Sequence, residues 1–238
     1  MKRLRSLFWG ALGLLSWAIM AGPATVAAAE SASVLVFGGT GRLGSEVVKA
    51  LLEDNHRVMV FARPSSARER LEGLPVSFVV GDVLDSGQVT QRVAEASPDV
   101  IVDALGRGDA PVSFYADSAR NIAQAAAAAG VQQLILHGSV GAGDSAEAYP
   151  SGQLSRMQKL FEAKTAGENA VRDSGVPFTI IRHLRLLRHG AGPSDGLELV
   201  ADETVGGTVS RADLGAVTRQ CVLQERCYNQ ILHARSDR

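Results

Sequence analysis

Three scarcities limit what this chain of 238 residues can do. It contains two cysteines, which excludes a disulfide-dense scaffold and a four-cysteine zinc site, and His56, His189 and His233 lack the spacing of metal ligands. Aromatic residues make up only 5% of the chain, too few to expect a surface that stacks single-stranded bases. Lys and Arg total 24 against 25 Asp and Glu, so there is no basic excess to hold a nucleic-acid backbone. We therefore expect neither a metal site nor a nucleic-acid partner.

The first 29 residues have the layout of a secretory signal. Basic residues within positions 2–5 precede an uncharged, largely apolar stretch over residues 7–29 that ends in an Ala-x-Ala sequence. A stretch of this length could also remain in the chain as a membrane tether, and an overextended start codon would place the true beginning near Ser31. We expect an exported or membrane-associated protein, periplasmic in a bacterium if the signal is cleaved and cytoplasmic if the leader is not part of the product.

Residues 30–238 alternate strand and helix patterns. Short apolar runs predict buried strands over 34–37, 57–61, 76–80, 100–102, 134–136 and 178–181. Helical spacing predicts helices over 42–52, 88–95, 113–129 and 153–174, and Ser65 is predicted to cap a further short helix. Strict alternation of this kind indicates parallel β-α-β units joined by right-handed crossovers.

The pattern loosens after the sixth predicted strand. A glycine-rich segment over 188–207 predicts a loop, which is followed by a predicted helix over 213–223 and a strand over 228–232. Because a doubly wound sheet binds ligands at the carboxyl ends of its strands, we expect this loop to cover the substrate. The predicted fold is α/β, a doubly wound, Rossmann-like parallel sheet in a single domain with a small C-terminal substrate cover.

A glycine array follows the first predicted strand directly and opens the first predicted helix. Gly38, Gly41 and Gly44 form a G-x-x-G-x-x-G spacing, which permits a tight turn, close approach of the backbone to a pyrophosphate and close helix packing. The N–H groups at the start of the helix can then hold the anion. The residues predicted to contact a dinucleotide in this loop are Gly38, Thr40, Gly41, Arg42, Leu43 and Gly44.

Arg63 ends the second predicted strand, nineteen positions after Gly44. An acidic residue there would bind the ribose 2′-hydroxyl of NAD, whereas an arginine matches the 2′-phosphate of NADP. We therefore predict NADP rather than NAD. Asp82, followed by Val83, closes the third strand, where its carboxylate could accept from the adenine amino group or could cap a turn. The last predicted cofactor contacts are Ala104 and Gly106, which follow the fourth strand.

These residues carry a family resemblance. The stretch over 33–105, with its glycine array and Arg63, resembles the atypical short-chain dehydrogenase/reductases, and more narrowly the NAD(P)-binding NmrA-like group that includes biliverdin reductase B, a flavin reductase. The similarity continues over 121–131, 138–142, 174–182 and 210–215. The resemblance implies a Rossmann fold, a nicotinamide cofactor and a reductase activity on a small molecule, without specifying the substrate.

The resemblance also implies a catalytic set, which this chain carries only in part. Ser139 and Lys164 match the serine and the lysine of the wider superfamily, and Lys164 is followed four residues later by a glutamate. The tyrosine position, however, is Leu160, which cannot donate a proton. Tyr149 is the nearby phenol in sequence, although Tyr-Pro is more typical of a loop anchor.

Two classes of function remain open on these observations. One is an NADP(H)-dependent oxidoreductase that acts on a small conjugated acceptor such as a flavin or quinone, because such acceptors need no dedicated protein acid. The other is a non-catalytic NADP-binding sensor or assembly protein. In either case we expect a monomer or a small oligomer. Cys221 and Cys227 could form a disulfide in an exported chain and would be apolar fillers in a cytosolic one.

Overall fold

The computed structural model describes residues 31–235 apart from 148, 150, 189, 193–196 and 202–206, and of 151–154 the backbone alone. The predicted leader over 1–29 lies outside the described residues. The strands are β1 (Ser33–Phe37), β2 (Arg57–Ala62), β3 (Ser77–Val80), β4 (Val100–Asp103), β5 (Gln133–Ser139), β6 (Phe178–His183), β7 (Arg185–Leu186), β8 (Glu198–Val200), β9 (Thr208–Val209) and β10 (Gln230–Arg235). The helices are α1 (Gly44–Glu53), α2 (Ser86–Ala96), α3 (Phe114–Ala129), α4 (Ser151–Arg172) and α5 (Arg211–Cys221).

Eight of these strands form one sheet in the order β3-β2-β1-β4-β5-β6-β10-β8. All pairings in it are parallel except that of β8, which runs antiparallel to β10 at the edge. The strand order reverses between β1 and β4, which are neighbours in the sheet with Phe37 opposite Asp103. The predicted doubly wound parallel sheet is confirmed, and its ligand crevice is expected at this reversal.

Helices cover both faces of the sheet, and this explains why the central strands are apolar throughout. Alternate residues of a strand point to opposite faces, so Val34 and Val36 of β1 join one core cluster and Leu35 and Phe37 join the other. The first cluster contains residues of α1 and α5, whereas the second contains residues of α2, α3 and α4. Among the described residues, no helix combines the length and apolar character needed to cross a membrane.

Local signals set the ends of several elements. Asn55 follows α1 with a φ of 60°, and Gly130 ends α3 with a φ of 66°. Asp85 caps α2 through a hydrogen bond from the Gln88 N–H, and a capping box between Ser210 and Asp213 starts α5.

Two expectations about local structure were wrong. Ser65 caps no helix, because the chain after β2 forms a turn and then a single 3₁₀ turn at Glu69–Leu71. The segment predicted as loop contains β8, which is a strand only because it pairs with the edge of β10. A three-residue strand of this kind has no periodic signal of its own, since tertiary pairing forms it.

Candidate functional site

The glycine turn after β1 is built around two close backbone approaches. Gly38 has a φ of +78°, and a Cβ there would lie 2.6 Å from the carbonyl oxygen of Ala104 in the loop after β4. A Cβ at Gly44 would overlap the carbonyl oxygen of Gly38, which accepts the Gly41 N–H at 2.8 Å. Only glycine fits at these two positions, and the result is a turn that brings the start of α1 directly over the end of β1.

The start of α1 has no side-chain cap. Leu43 precedes the helix and makes no capping hydrogen bond. The Ser45 and Glu46 N–H groups donate to the Gly41 and Leu43 carbonyls, each at 3.0 Å. An anion would therefore be bound by N–H groups of the glycine turn that precedes them, together with the positive end of the helix dipole. The glycine turn between β1 and α1 has no side chain at Gly38, Gly41 or Gly44 that would fill the space next to the backbone. That space fits the pyrophosphate of a dinucleotide.

A cavity of about 290 Å³ lies beside this turn at the carboxyl ends of β1 to β4. Seven of the predicted cofactor residues line it: Gly38, Thr40, Gly41, Arg63, Asp82, Val83 and Gly106. The other loop residues, Arg42, Leu43, Gly44 and Ala104, shape the turn but are not among those that line the cavity. The cavity is also lined by Leu105, Arg107 and Phe114. These three residues were not predicted, because they lie outside the motifs that carry the family resemblance.

Arg63 stands at the mouth of this cavity on a hydrogen-bonded turn. The Ser66 hydroxyl accepts the Arg63 N–H at 3.1 Å, and the Ser66 N–H donates to the Arg63 carbonyl at 3.0 Å. The Arg63 side chain itself is exposed. The positive charge of Arg42 adds to burial in lowering the pKa of Arg211. The hydrogen-bonded turn brings Arg63 and Ser66 together.

Asp82 both lines the cavity and shapes a turn. Its carboxylate accepts the Leu84 N–H at 3.0 Å, and its own N–H donates to the Gln88 side chain at 3.2 Å. The next residue, Val83, is held from α3, because the Asn121 side-chain amide donates to its carbonyl at 2.9 Å. These bonds fix the loop after β3 at the wall of the cavity.

Lys164 lines a second, much smaller cavity of about 20 Å³. Its Nζ lies 4.4 Å from the centroid of the Tyr115 ring, within the range of a cation–π contact. Burial lowers the pKa of Lys164, and the negative charges of Glu168 and Asp103 oppose that shift. Tyr115 belongs to α3. The spacing of residues along α4 therefore could not predict that this phenol lies beside Lys164.

Asp103, at the end of β4, is a buried carboxyl group that the sequence analysis missed. Desolvation raises its pKa to about 6, against the effects of a hydrogen bond from the Leu105 N–H at 3.0 Å and of the nearby Lys164 charge. The signal for it was present, since an aspartate directly ends an apolar strand run. It lines the small cavity together with Lys164.

His137, on β5, is also buried against this small cavity. The Thr218 hydroxyl lies within hydrogen-bond distance of the Leu214 carbonyl and 3.0 Å from the His137 Nε2, which holds the ring against α5. Burial lowers the pKa of His137 to about 4, which keeps the ring neutral near pH 7. The Nδ1 atom has no hydrogen-bond partner among the described residues.

The remaining predicted catalytic positions are dispersed. The Ser139 hydroxyl donates to the Val140 carbonyl at 3.1 Å, and Ser139 is not among the residues lining the Lys164 cavity. Tyr149 packs edge-on against Phe161 with ring centroids 4.7 Å apart, which is the contact of a loop anchor. Leu160 lines a separate cleft on α4.

A buried ion pair fixes α4 to the sheet. Both carboxylate oxygens of Glu168 bind Arg182 of β6, at 3.2 and 2.7 Å, and Asp144 binds the same guanidinium at 2.5 Å. Glu168 lies one helical turn after Lys164, so this pair sets the position of the lysine. The guanidinium of Arg182 thereby has a structural role.

The turn, the uncapped helix start and the cavity at the strand reversal define a dinucleotide-binding protein of the Rossmann class. Residues 38–225 match the model of a family described as NAD(P)H-binding. The chain belongs to this NAD(P)H-binding family, and the likeness to atypical, NmrA-like short-chain dehydrogenase/reductases is confirmed.

Similar proteins support this assignment. An uncharacterized chloroplastic protein of Arabidopsis thaliana is 30% identical over 231 residues, covering 84% of this chain and 69% of that protein. The chloroplastic divinyl chlorophyllide a 8-vinyl-reductase of Oryza sativa is 26% identical over 86% of this chain, which spans about half, 54%, of the rice protein. ChuY, an anaerobilin reductase of Escherichia coli, shares the fold with a TM-score of 0.75, at 24% identity over 86% of this chain and 97% of ChuY.

Proposed function

We propose that this protein is an NADP(H)-dependent reductase of a small conjugated acceptor such as a flavin or quinone. The observation that carries the cofactor choice is Arg63 at the mouth of the dinucleotide cavity, held on the Ser66 turn. A guanidinium there favours the 2′-phosphate of NADP, and this position carries a carboxylate in proteins of this fold that select NAD.

The chain's own residues would hold and orient this cofactor. The glycine turn and the start of α1 receive the pyrophosphate, Arg63 the 2′-phosphate, and Asp82 the adenine edge. Lys164 is assigned to the ribose. When bound, the reduced nicotinamide supplies a hydride.

The acceptor class follows from what the catalytic positions offer. Leu160 has no proton to donate, and Lys164 is enclosed by Tyr115, Asp103 and Glu168. A simple carbonyl needs an acid placed at its oxygen, whereas a conjugated acceptor takes its proton from solvent or holds the negative charge itself. A site that lacks the catalytic tyrosine is therefore better suited to reducing conjugated acceptors than simple carbonyl compounds.

A non-catalytic NADP-binding sensor or assembly protein is the second candidate. It is favoured by the same leucine and by the small size of the cavity at Lys164, about 20 Å³. The purified protein, mixed with NADPH and a panel of flavins and quinones, separates the two candidates by the loss of absorbance at the reduced nicotinamide band. Turnover of any member supports the reductase; tight NADPH binding without turnover across the panel supports the sensor.

We also propose that the domain works in an oxidising compartment, to which the leader exports it. Support comes from the Cys221–Cys227 disulfide, whose Cα atoms are 5.6 Å apart and whose cysteines are both buried. Disulfides persist in the periplasm and are rare in the cytosol. Sequencing the mature N-terminus from fractionated cells tests this: a periplasmic product beginning near residue 30 is expected, and recovery of reduced protein from the cytoplasm would contradict it.

A further inference from the structure

A cleft of about 590 Å³ lies between the loop after β4 and the first half of α4. Arg107 lines this cleft and also the dinucleotide cavity, so the two spaces share one wall. Both adjoin the carboxyl edge of the sheet, where the loops after β4 and β5 emerge. A molecule in the cleft is therefore beside the cofactor cavity.

The cleft has an apolar lining at the position of the absent tyrosine. Leu160 lies there with Met157, from the preceding helical turn, and with Val112 from the facing loop. Apolar contacts of this kind suit the flat ring of a conjugated molecule better than a sugar or a small polar carbonyl compound.

Three cations border the same space: Arg107, Arg156 and Lys159. Arg156 and Lys159 are three residues apart on α4 and therefore share a helix face with each other and with Leu160. The Arg107 guanidinium is held in place by a hydrogen bond to the Ala110 carbonyl at 2.5 Å.

These cations differ from most basic side chains on the neighbouring helices. Within the described part of the chain, no carboxylate lies at ion-pair distance from any of the three, whereas Arg92 and Arg120 each pair with an acidic residue three positions away. Among the described residues that line the cleft, one carries a carboxylate: Glu162, which accepts a hydrogen bond from Gln158 at 2.9 Å. The cleft thus has three cations against one carboxylate, in a chain with a formal net charge of -1.

We propose that this cleft is the acceptor site and that it selects conjugated acceptors carrying a phosphate or carboxylate group. The ring would lie on Leu160, Met157 and Val112, and the anionic group would bind Arg156 and Lys159. This inference rests on the proposed reductase function and specifies the substrate class of that site.

Flavin mononucleotide and riboflavin test the inference, because they share one ring system and differ by a phosphate. With NADPH saturating, the wild-type protein is expected to show a KM for flavin mononucleotide roughly tenfold below that for riboflavin, a ratio that corresponds to about 1.4 kcal/mol. Added salt should weaken this preference, since the cations are exposed. Equal KM values for the two flavins would overturn the proposal.

The double variant Arg156→Gln/Lys159→Gln should raise the KM for flavin mononucleotide about tenfold and leave the riboflavin KM and both kcat values within about twofold. The matched control, Arg92→Gln/Arg120→Gln, removes two charges from α2 and α3 and should change neither KM. Equal shifts for both flavins in the cleft variant would contradict the proposal.

Failure of the inference and failure of the reductase function give different results. If both flavins are reduced with equal KM, the anion site is wrong and the reductase stands. If neither is reduced, quenching of flavin fluorescence with NADP present measures the two affinities directly: tighter binding of flavin mononucleotide, lost in the cleft variant, supports the anion site, and equal binding overturns it.

Discussion

At the scale of single residues, the properties of the site depend on whether its charged side chains are exposed or buried. Arg63 is exposed at the cavity mouth and free to meet a phosphate, whereas Asp103 and Lys164 are enclosed together beneath the same edge of the sheet. An exposed cation costs little to keep and acts on its ligand. A buried carboxyl group costs stability, and it changes protonation within an accessible pH range.

Replacing Arg63 by Asp should reverse the cofactor preference. The carboxylate repels a 2′-phosphate and accepts from a 2′-hydroxyl, so the ratio of the Kd values for NADP and NAD should change by about tenfold to a hundredfold, as expected for a charged hydrogen bond of about 1.5–3 kcal/mol. Calorimetric titration with both cofactors measures this. Arg120→Asp, on the outer face of α3, is the control, and unchanged affinities in Arg63→Asp would refute the assigned role.

Asp103 should make stability depend on pH. Its pKa is raised from 3.8 to about 6 in the folded protein, so the native state favours the protonated form and the wild-type protein loses stability as pH rises from about 4 to 6. Asp103→Asn keeps the acceptor for the Leu105 N–H and cannot ionise. Its unfolding free energy relative to wild type should therefore rise across this window, by at most about 3 kcal/mol.

Urea denaturation at several pH values between 4 and 7 measures that difference for Asp103→Asn. A difference that stays flat across this window for Asp103→Asn would show that its carboxyl group does not titrate differently in the folded protein.

At the scale of elements, two junctions stabilise the fold. One is the turn from β1 into α1, at the carboxyl ends of the strands, and the other is the connection from α5 to β10, beside the amino-terminal ends of β5 and β6. In the first junction, the backbone of Gly44 packs directly on the backbone of Gly38, with no side chain between them. In the second, buried Gln133 donates to Thr179 and to the Cys221 carbonyl, and accepts the Leu223 N–H at 2.7 Å. The disulfide closes this second junction beside a satisfied polar network.

Gly44→Ala should disturb the first junction. The added Cβ overlaps the Gly38 carbonyl, so we expect a loss of about 1–3 kcal/mol in unfolding free energy and a marked weakening of NADP binding. Gly87→Ala is the matched control in the first turn of α2, where a Cβ meets only the Asp85 side chain at 3.3 Å. Thermal denaturation and cofactor titration check both variants, and full NADP affinity in Gly44→Ala would count against the pyrophosphate assignment.

Removing the disulfide should destabilise the second junction modestly. The ring closed by Cys221 and Cys227 is short, with a sequence separation of 6, so loop-closure entropy gives about 2 kcal/mol. Cys221→Ala/Cys227→Ala should unfold at a lower temperature than oxidised wild type and should not respond to reductant. Wild-type stability that is insensitive to reductant would contradict a structural disulfide.

At the scale of the whole molecule, the reversal of strand order assembles the site. The loops after β1, β2, β3 and β4 all reach the dinucleotide cavity, so a bound cofactor contacts segments from residue 38 to residue 114. Ligand binding to the native state alone therefore stabilises the fold as a unit.

NADP at one hundred times its Kd should raise the unfolding free energy by about 2.7 kcal/mol. For a domain of this size that corresponds to roughly 5–10 °C in Tm. Differential scanning calorimetry with NADP, NAD and no ligand measures the shift, which NAD at the same concentration should produce only in part. Absence of a shift with either cofactor would refute the dinucleotide site.

Sequence alone determined the order of β1 to β6 and α1 to α4, because each element shows its own apolar period and its own end signals. It also determined the glycine turn, since steric demands at Gly38 and Gly44 are met by residues adjacent in the chain. The observed ends of these strands and helices differ from the predicted ends by a few residues, because strand pairing and helix fraying depend on residues that are neighbours in space.

Only the tertiary structure decided which groups surround Lys164. Tyr115 and Asp103 reach it from α3 and β4, and no spacing along α4 can specify side chains contributed by other elements. The antiparallel pairing of β8 and the formation of the Cys221–Cys227 bond were decided in the same way. Local patterns follow from the backbone and hydrophobic preferences of consecutive residues, whereas protonation, enclosure and pairing depend on distances that exist only after the chain has folded.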